Sequence, residues 1–368
     1  MREIQKIENL PIIVLTALGH VGVDYFGNLF YSSKEVLKVP ALSFFRKLEI
    51  LLKNKKINIH KVPNKKLFNI IKNNFMWKSP IKSYNYFSSK KDEKDFRKFF
   101  CLFIKKSKIH DVKKKIFLAI HYGMAKIKKK KINNLKYILT HEHQSRYCKE
   151  YKKFFFTKFV IVVRDPRAAF AGSFKGAQIK NVSKEFMLDR CLTFWKTGFD
   201  FYLKEKKEEN IFLVQNEKFQ GQKKLKIILK KICKWLDINF SKEMLQPKYF
   251  NEIWHGDSSY LSKYERKKPL PKSYYNKKNV TQRWKSQISK SEINDIENIL
   301  SKSMKIFKYK PINKISFISK LNAYKNIFFK YKKERNPLIN TYYIIKNIIR
   351  RTFILHKTNL ALKIFDLT

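Results

Sequence analysis

Glycine is scarce in this chain of 368 residues, with nine in all, while Lys, Asn, Ile and Phe are abundant. So little glycine leaves few phosphate-cradling loops to consider. The one glycine turn that follows an early apolar run, Gly19–Gly22, is neither a GxGxxG nor a Walker A motif. Cysteine is equally thin. Cys101, Cys148, Cys191 and Cys233 are widely separated and form no C-x-x-C pair. Neither a disulfide framework nor a zinc site is indicated, and reduced thiols in a cytoplasmic protein are the simplest reading. No run of about 18 apolar residues occurs, so no transmembrane helix is expected. The apolar stretch Pro11–Leu18 is too short to span a bilayer and lacks a clear cleavage site. Acidic residues are the last shortage: 29 Asp and Glu face 82 Lys and Arg, a net charge of +53. That balance suits acidic partners such as nucleotides, anionic lipid, polyanionic glycans or nucleic acid. The bias toward Lys, Asn, Ile and Phe is also what an AT-rich coding sequence imposes, so only local basic clusters count as evidence.

A 44% hydrophobic and 15% aromatic content supports a sizeable core and argues against disorder. The chain is organised around Phe159-Val-Ile-Val-Val-Arg164-Asp165-Pro166-Arg167-Ala-Ala-Phe-Ala-Gly172-Ser173. Its apolar start reads as a fully buried strand of a parallel sheet. Asp165 is a helix N-cap and Pro166 fits the first helical turn, where its missing N–H costs nothing. Arg164 therefore lies at a strand's carboxyl end, before a helix whose positive end favours an anion. Ile12–Leu18, Leu135–Thr140 and Ile211–Val214 read as further strands. Amphipathic helices are expected over Lys184–Phe201, with Phe186, Leu188, Leu192, Trp195 and Phe199 inward, and over Lys223–Leu236. Alternating strands and helices argue for a parallel sheet. From about Phe45 to Lys131 the sequence is amphipathic, Lys-rich and mainly helical in pattern.

Arg164-Asp165-Pro166-Arg167-Ala168 after a buried strand resembles the 3′-phosphate-binding segment of the sulfotransferases that use 3′-phosphoadenosine 5′-phosphosulfate (PAPS). The resemblance implies an α/β, three-layer, P-loop-like fold with about five parallel strands. It also implies transfer of the sulfonate group of PAPS to an acceptor hydroxyl, without a metal. The family pattern places a Ser eight residues after its Arg. Here the eighth is Gly172, and Ser173 follows as the candidate 3′-phosphate ligand. The 5′-phosphosulfate loop falls on Gly19, His20, Val21, Gly22, Val23 and Asp24, with His20 in place of the basic residue and Val for hydroxyl residues. Leu-Thr-His141 resembles the Lys-Thr-His segment that supplies the general base, so His141 or His143 is the expected base and Asp24 its rival. Asn216-Glu217 resembles the end of a later family strand, and Trp254–Ser259 a W-x-G-N-S-S stretch with Asp257 for Asn. Lys277, Lys278, Trp284 and Lys285 keep the register of the segment that wraps the donor, just before a helix with a capping box at Ser289 and Glu292.

The match runs over roughly residues 10–310 and implies one sulfotransferase domain, 1–312, in which 34–131 is a helical insertion on the acceptor side. Residues 313–368 form a basic, aromatic-rich, helical appendage. A glycan hydroxyl of the bacterial carbohydrate type is the expected acceptor, and nucleic acid is not expected as a partner. Apolar positions at helical spacing in Ile344–Phe353 suit peripheral contact with the inner face of a membrane. The competing class is a non-catalytic basic protein that binds polyanions or anionic membrane. A nucleotide kinase is a weaker rival, because the Walker lysine is missing.

Overall fold

The buried apolar runs become the sheet. The computed structural model describes residues 1–19, 22–39, 43–55, 62–75, 86–87, 89–179, 184–249, 252–253, 280–282 and 284–329. Five parallel strands lie in the order β2-β3-β1-β4-β5. They are β1 (Ile12–Ala17), β2 (Val36–Lys38), β3 (Tyr137–Glu142), β4 (Thr157–Val163) and β5 (Ile211–Gln215). Every residue of β1 and β3 is buried, as a sheet covered on both faces requires. The expected α/β architecture with about five parallel strands is the one this chain adopts. A short antiparallel ribbon, β6 (Lys248–Tyr249) and β7 (Glu252–Ile253), stands apart.

The helices of the first half are α1 (Arg2–Glu8), α2 (Val23–Leu29), α3 (Phe44–Lys55), α4 (Asn64–Phe75), α5 (Lys90–Lys106), α6 (Val112–Ile127) and α7 (Ser145–Phe154). After them come α8 (Pro166–Ile179), α9 (Lys184–Glu205), α10 (Gln222–Leu236), α11 (Trp284–Gln287), α12 (Lys290–Ile299), α13 (Ser301–Ile306) and α14 (Phe317–Phe329). Local chemistry explains several starts. Ser89 and Asp111 accept N–H bonds that cap α5 and α6, and Ser289 with Glu292 forms the expected capping box on α12.

Register divides the sheet into two faces. Leu15 pairs with His141 and Val160, and Val160 with Phe212, so these four side chains share one face. There Phe212 meets Trp235 of α10 at 5.5 Å between ring centroids. Phe159 belongs to the other face, where it meets Phe201 of α9 at 5.0 Å. Beyond β2 and β3, Phe44 and Phe45 of α3, Phe117 of α6 and Tyr151 of α7 make an aromatic cluster. Each such ring, fully buried, contributes roughly 1.5–3 kcal/mol.

Two places depart from expectation. Val36–Lys38 falls inside the stretch read as helical, yet it forms the edge strand β2 on β3. Three residues are too few to show an alternation, and the partner strand lies about a hundred residues further on. At the other end, the first part of the expected appendage is docked: α14 donates from Asn326 Nδ2 to Asp295 Oδ1 at 3.0 Å, and Ser319 Oγ donates to Asn298 Oδ1 at 2.8 Å. The Ile344–Phe353 and Trp254–Ser259 stretches lie outside the described residues. Among the described residues no helix is long and apolar enough to cross a membrane.

Candidate active site at the carboxyl edge of the sheet

From the central β1 the chain runs out to β2, returns through β3 and then crosses β1 to reach β4. A ligand crevice in such a sheet opens at the carboxyl ends of the strands, where the direction of winding reverses. Those ends carry the Gly19–Asp24 turn after β1, His141 and Glu142 on β3, and Arg164 after β4.

The β4 turn is built as its sequence suggests. Asp165 Oδ1 accepts the Arg167 N–H at 2.9 Å, capping α8, and Pro166 occupies the first helical position. The Asp165 N–H donates to Glu217 Oε1 at 2.7 Å, and Tyr309 Oη donates to Glu217 Oε2 at 3.0 Å. Burial nevertheless pushes the Glu217 carboxyl upward. Arg164 is buried, and its guanidinium donates to the Val280 carbonyl. Gly172 packs beside it: a Cβ there would lie 3.5 Å from Arg164 Nη1, an ordinary van der Waals contact. Ser173 is also buried, but its hydroxyl donates within its own helix to the Phe170 carbonyl at 2.7 Å.

The β1 turn uses two glycines at positive φ, Gly19 at 98° and Gly22 at 80°. Gly22 caps α2 in the left-handed region, and a Cβ there would come within 2.7 Å of Asn216 Nδ2. Beside Gly19, the buried Trp195 of α9 holds an indole N–H with no hydrogen-bond partner among the described residues. Buried indoles ordinarily find an acceptor.

Val23 starts α2 and Asp24 follows it toward β3. Asp24 Oδ1 is 2.9 Å from His141 Nδ1, an ion-pair separation that is not a straight hydrogen bond. His141 Nε2 is buried and has no hydrogen-bond partner among the described residues. The exposed His143 lies beside it, with ring centroids 4.1 Å apart and the rings tilted at 58°. Burial alone would raise the Asp24 carboxyl, but His141, His143 and Lys38 together hold it well below the usual carboxylate range. Lys38 ends β2, is buried, and donates from Nζ to Asn28 Oδ1. Burial lowers its pKa to about 8, against the opposing pull of Asp24.

The structure thus brings Gly19, Gly22, Val23, Asp24, His141, His143 and Arg164 to one edge of the sheet. Trp284 lies close by but is structural in its contacts. Its ring supports the Arg167 guanidinium at 4.4 Å, and its Nε1 donates to the Thr281 carbonyl at 2.9 Å. Lys285 is exposed. His20, Val21, Lys277 and Lys278 lie outside the described residues. Lys38, Asn216 and Trp195 enter the site without having been singled out for it. A lysine closing an apolar run was the only signal for the first, and Trp195 had been read as core alone. Among the described residues no cluster of three or more His, Cys, Asp or Glu could hold a metal ion.

No protein-family model and no curated protein matches this chain. Among solved structures it is similar to the sulfotransferase domain from the curacin biosynthetic pathway, at 12% identity and a TM-score of 0.43, covering 82% of this chain and 99% of that one. It is also similar to the sulfotransferase domain of the Synechococcus PCC 7002 olefin synthase, at 10% identity and a TM-score of 0.42, covering 88% and 97%. A sulfotransferase from Mycobacterium avium compares at 11% identity and a TM-score of 0.40, covering 83% and 79%. At these identities no residue's role carries over from them.

Proposed function

We propose that this chain is a sulfotransferase that moves the sulfonate group of PAPS to an acceptor hydroxyl on a glycan. The observation that carries this reading is the pairing at the strand ends: Asp24 Oδ1 lies 2.9 Å from His141 Nδ1, and Nε2 has no hydrogen-bond partner among the described residues, on the same edge as the buried Arg164. The residues present fit a nucleotide with two anionic ends. The buried Arg164 guanidinium suits the 3′-phosphate, and Gly19 and Gly22, with the Trp195 N–H that has no hydrogen-bond partner among the described residues, suit the 5′ end.

Bound there, PAPS would supply the activated sulfonate. In this reading the carboxylate of Asp24 keeps the proton of His141 on Nδ1, leaving the lone pair on Nε2 to take the acceptor's hydroxyl proton. The imidazolium so formed stays beside a carboxylate that remains ionised. Lys38 adds a positive charge on the same side, held in place by Asn28. It biases Asp24 toward its ionised form.

The test is calorimetric binding of adenosine 3′,5′-bisphosphate combined with turnover. Wild-type protein should bind it saturably. Arg164→Ala should lose about 1.5–3 kcal/mol, roughly a 10- to 150-fold weakening. His141→Ala should keep that affinity while turnover falls about 10²–10⁴-fold. Unchanged affinity in Arg164→Ala would remove the donor site. Full activity in His141→Ala, with loss in Asp24→Asn, would transfer the base to Asp24. Salt-sensitive binding of any polyanion without nucleotide binding would favour a non-catalytic basic protein.

A further inference from the structure

A second feature lies at the opposite edge of the sheet. A cleft of about 1060 Å³ opens at the amino ends of β2 and β3. Lys6 of α1, Lys34 before β2, Lys128 and Lys130 after α6, Lys136 before β3 and Lys248 of β6 line it, against Glu35 and Glu243. Glu35 is already engaged: it pairs with Lys136 at 3.2 Å and accepts the Asn239 N–H at 2.5 Å. Its own N–H, the neighbouring Ser241 and the charges of Lys248 and Lys34 hold the Glu243 carboxyl low.

The cations are placed unequally. Lys130 is fixed by donating to the Ser33 carbonyl at 2.9 Å and the Tyr31 carbonyl at 3.3 Å, and burial lowers its pKa and that of Lys128. Part of this charge answers the carbonyl end of α6, where basic residues are favourable. Lys6 likewise sits in the last turn of α1, and Lys34 and Lys248 are near enough to Glu243 to help hold its carboxyl low, but none of the three makes an ion pair within 4 Å among the described residues. A concave wall that carries six ammonium groups against two carboxylates gains by taking up negative charge.

We propose that this cleft is a second binding site, for an acidic oligosaccharide: a hydroxyl-bearing frame with several sulfate, phosphate or carboxylate groups. Three observations favour that ligand over a single phosphate. The lining holds no arginine, so the fork that grips one phosphate in two places is missing, and separate point charges stand in its place. The lysines come from separate segments around the cleft, which suits charges spaced along a chain. Amides of Asn133, Asn134 and Asn239 lie between them and can bond hydroxyls. The volume, at the upper end of small-ligand pockets, admits a short saccharide rather than a duplex.

This inference goes beyond the reading of the strand-end site and uses neither nucleotide nor turnover. The experiment is calorimetry on the full chain with a highly sulfated tetrasaccharide and its neutral counterpart, at fixed salt. The sulfated compound should bind saturably at one site, and the neutral one should not. Lys6→Ala/Lys34→Ala/Lys248→Ala should weaken binding at least tenfold. The control Lys223→Ala/Lys224→Ala/Lys226→Ala, which removes equal charge from the exposed face of α10, should change it less than twofold. The single exposed reversal Lys34→Glu should weaken it at least threefold, so the test survives if the triple variant folds poorly. Saturating adenosine 3′,5′-bisphosphate should leave the affinity unchanged. No saturable binding, equal loss in the control, or displacement by the nucleotide would each overturn the proposal.

Discussion

Glu142 should make this protein less stable as pH rises through neutrality. It is fully buried on the α7 face of β3. Oε1 accepts a long bond from the Gln144 N–H at 3.3 Å, the His143 N–H also favours the charged form, and Oε2 has no hydrogen-bond partner among the described residues. Burial pushes its carboxyl from 4.5 up to about 8; the Gln144 N–H and the charge of Arg46 oppose this only in part. The raised value fixes the sign. Between about pH 4.5 and 8 the folded chain holds one proton more than the unfolded chain, so stability is fully present below 4.5 and is lost as pH rises through 8. The slope is about 1.4 kcal/mol per pH unit, so about 2–3 kcal/mol disappears between pH 5 and pH 7. Glu142→Gln keeps the shape and removes the titration. In urea unfolding followed by circular dichroism, the variant should gain that amount on wild type over the same interval, while other titrating groups cancel in the difference. Parallel stability–pH curves for the two proteins would mean that Glu142 is ionised and solvated in the folded state, and the reasoning would fail.

Two further outcomes follow from fixed geometry. Arg167 joins Asp165 Oδ2 at 2.6 Å and the fully buried Glu297 Oε1 at 2.5 Å, so Arg167→Ala should cost about 3–5 kcal/mol by leaving carboxylates uncompensated. Thermal unfolding of the variant and of Arg167→Ala/Glu297→Gln checks this, since the second change should recover part of the loss. Gly22→Ala should cost about 1–2 kcal/mol for a left-handed non-glycine residue, with added crowding at Asn216, and should weaken nucleotide binding more than Gly221→Ala, where a Cβ meets nothing within 4 Å.

Much of the scaffold was legible in the sequence because it rests on local signals. The apolar runs of β1, β4 and β5 and the caps at Asp165 and Ser289 are each written within a few residues. What escaped depends on distant partners. β2 is three residues long and exists because β3 lies beside it. Lys38 read as an ordinary lysine because its acceptor, Asn28, sits on a different element. His141 and Asp24 were both singled out, yet as rivals for one task. Their spacing in sequence holds no hint that they stand 2.9 Å apart. For Ser173, the helical phase was visible, but its bond to the Phe170 carbonyl was not. Arg167 looked like part of a motif, and only the fold reveals that it is enclosed by Glu297, Trp284 and the Lys310 carbonyl.

That enclosure sets an order of events during synthesis. Arg167 leaves the ribosome 130 residues before Glu297, its buried partner. At about 5–20 residues per second the interval is roughly 7–26 seconds. β5 is completed 48 residues into that interval, and from then on all five strands of the sheet have been made while the arginine turn beside β4 still lacks its buried carboxylate. A nascent chain halted before α12 would therefore carry the sheet with an open, solvated turn, and the strand-end site would mature only as the last helices emerge.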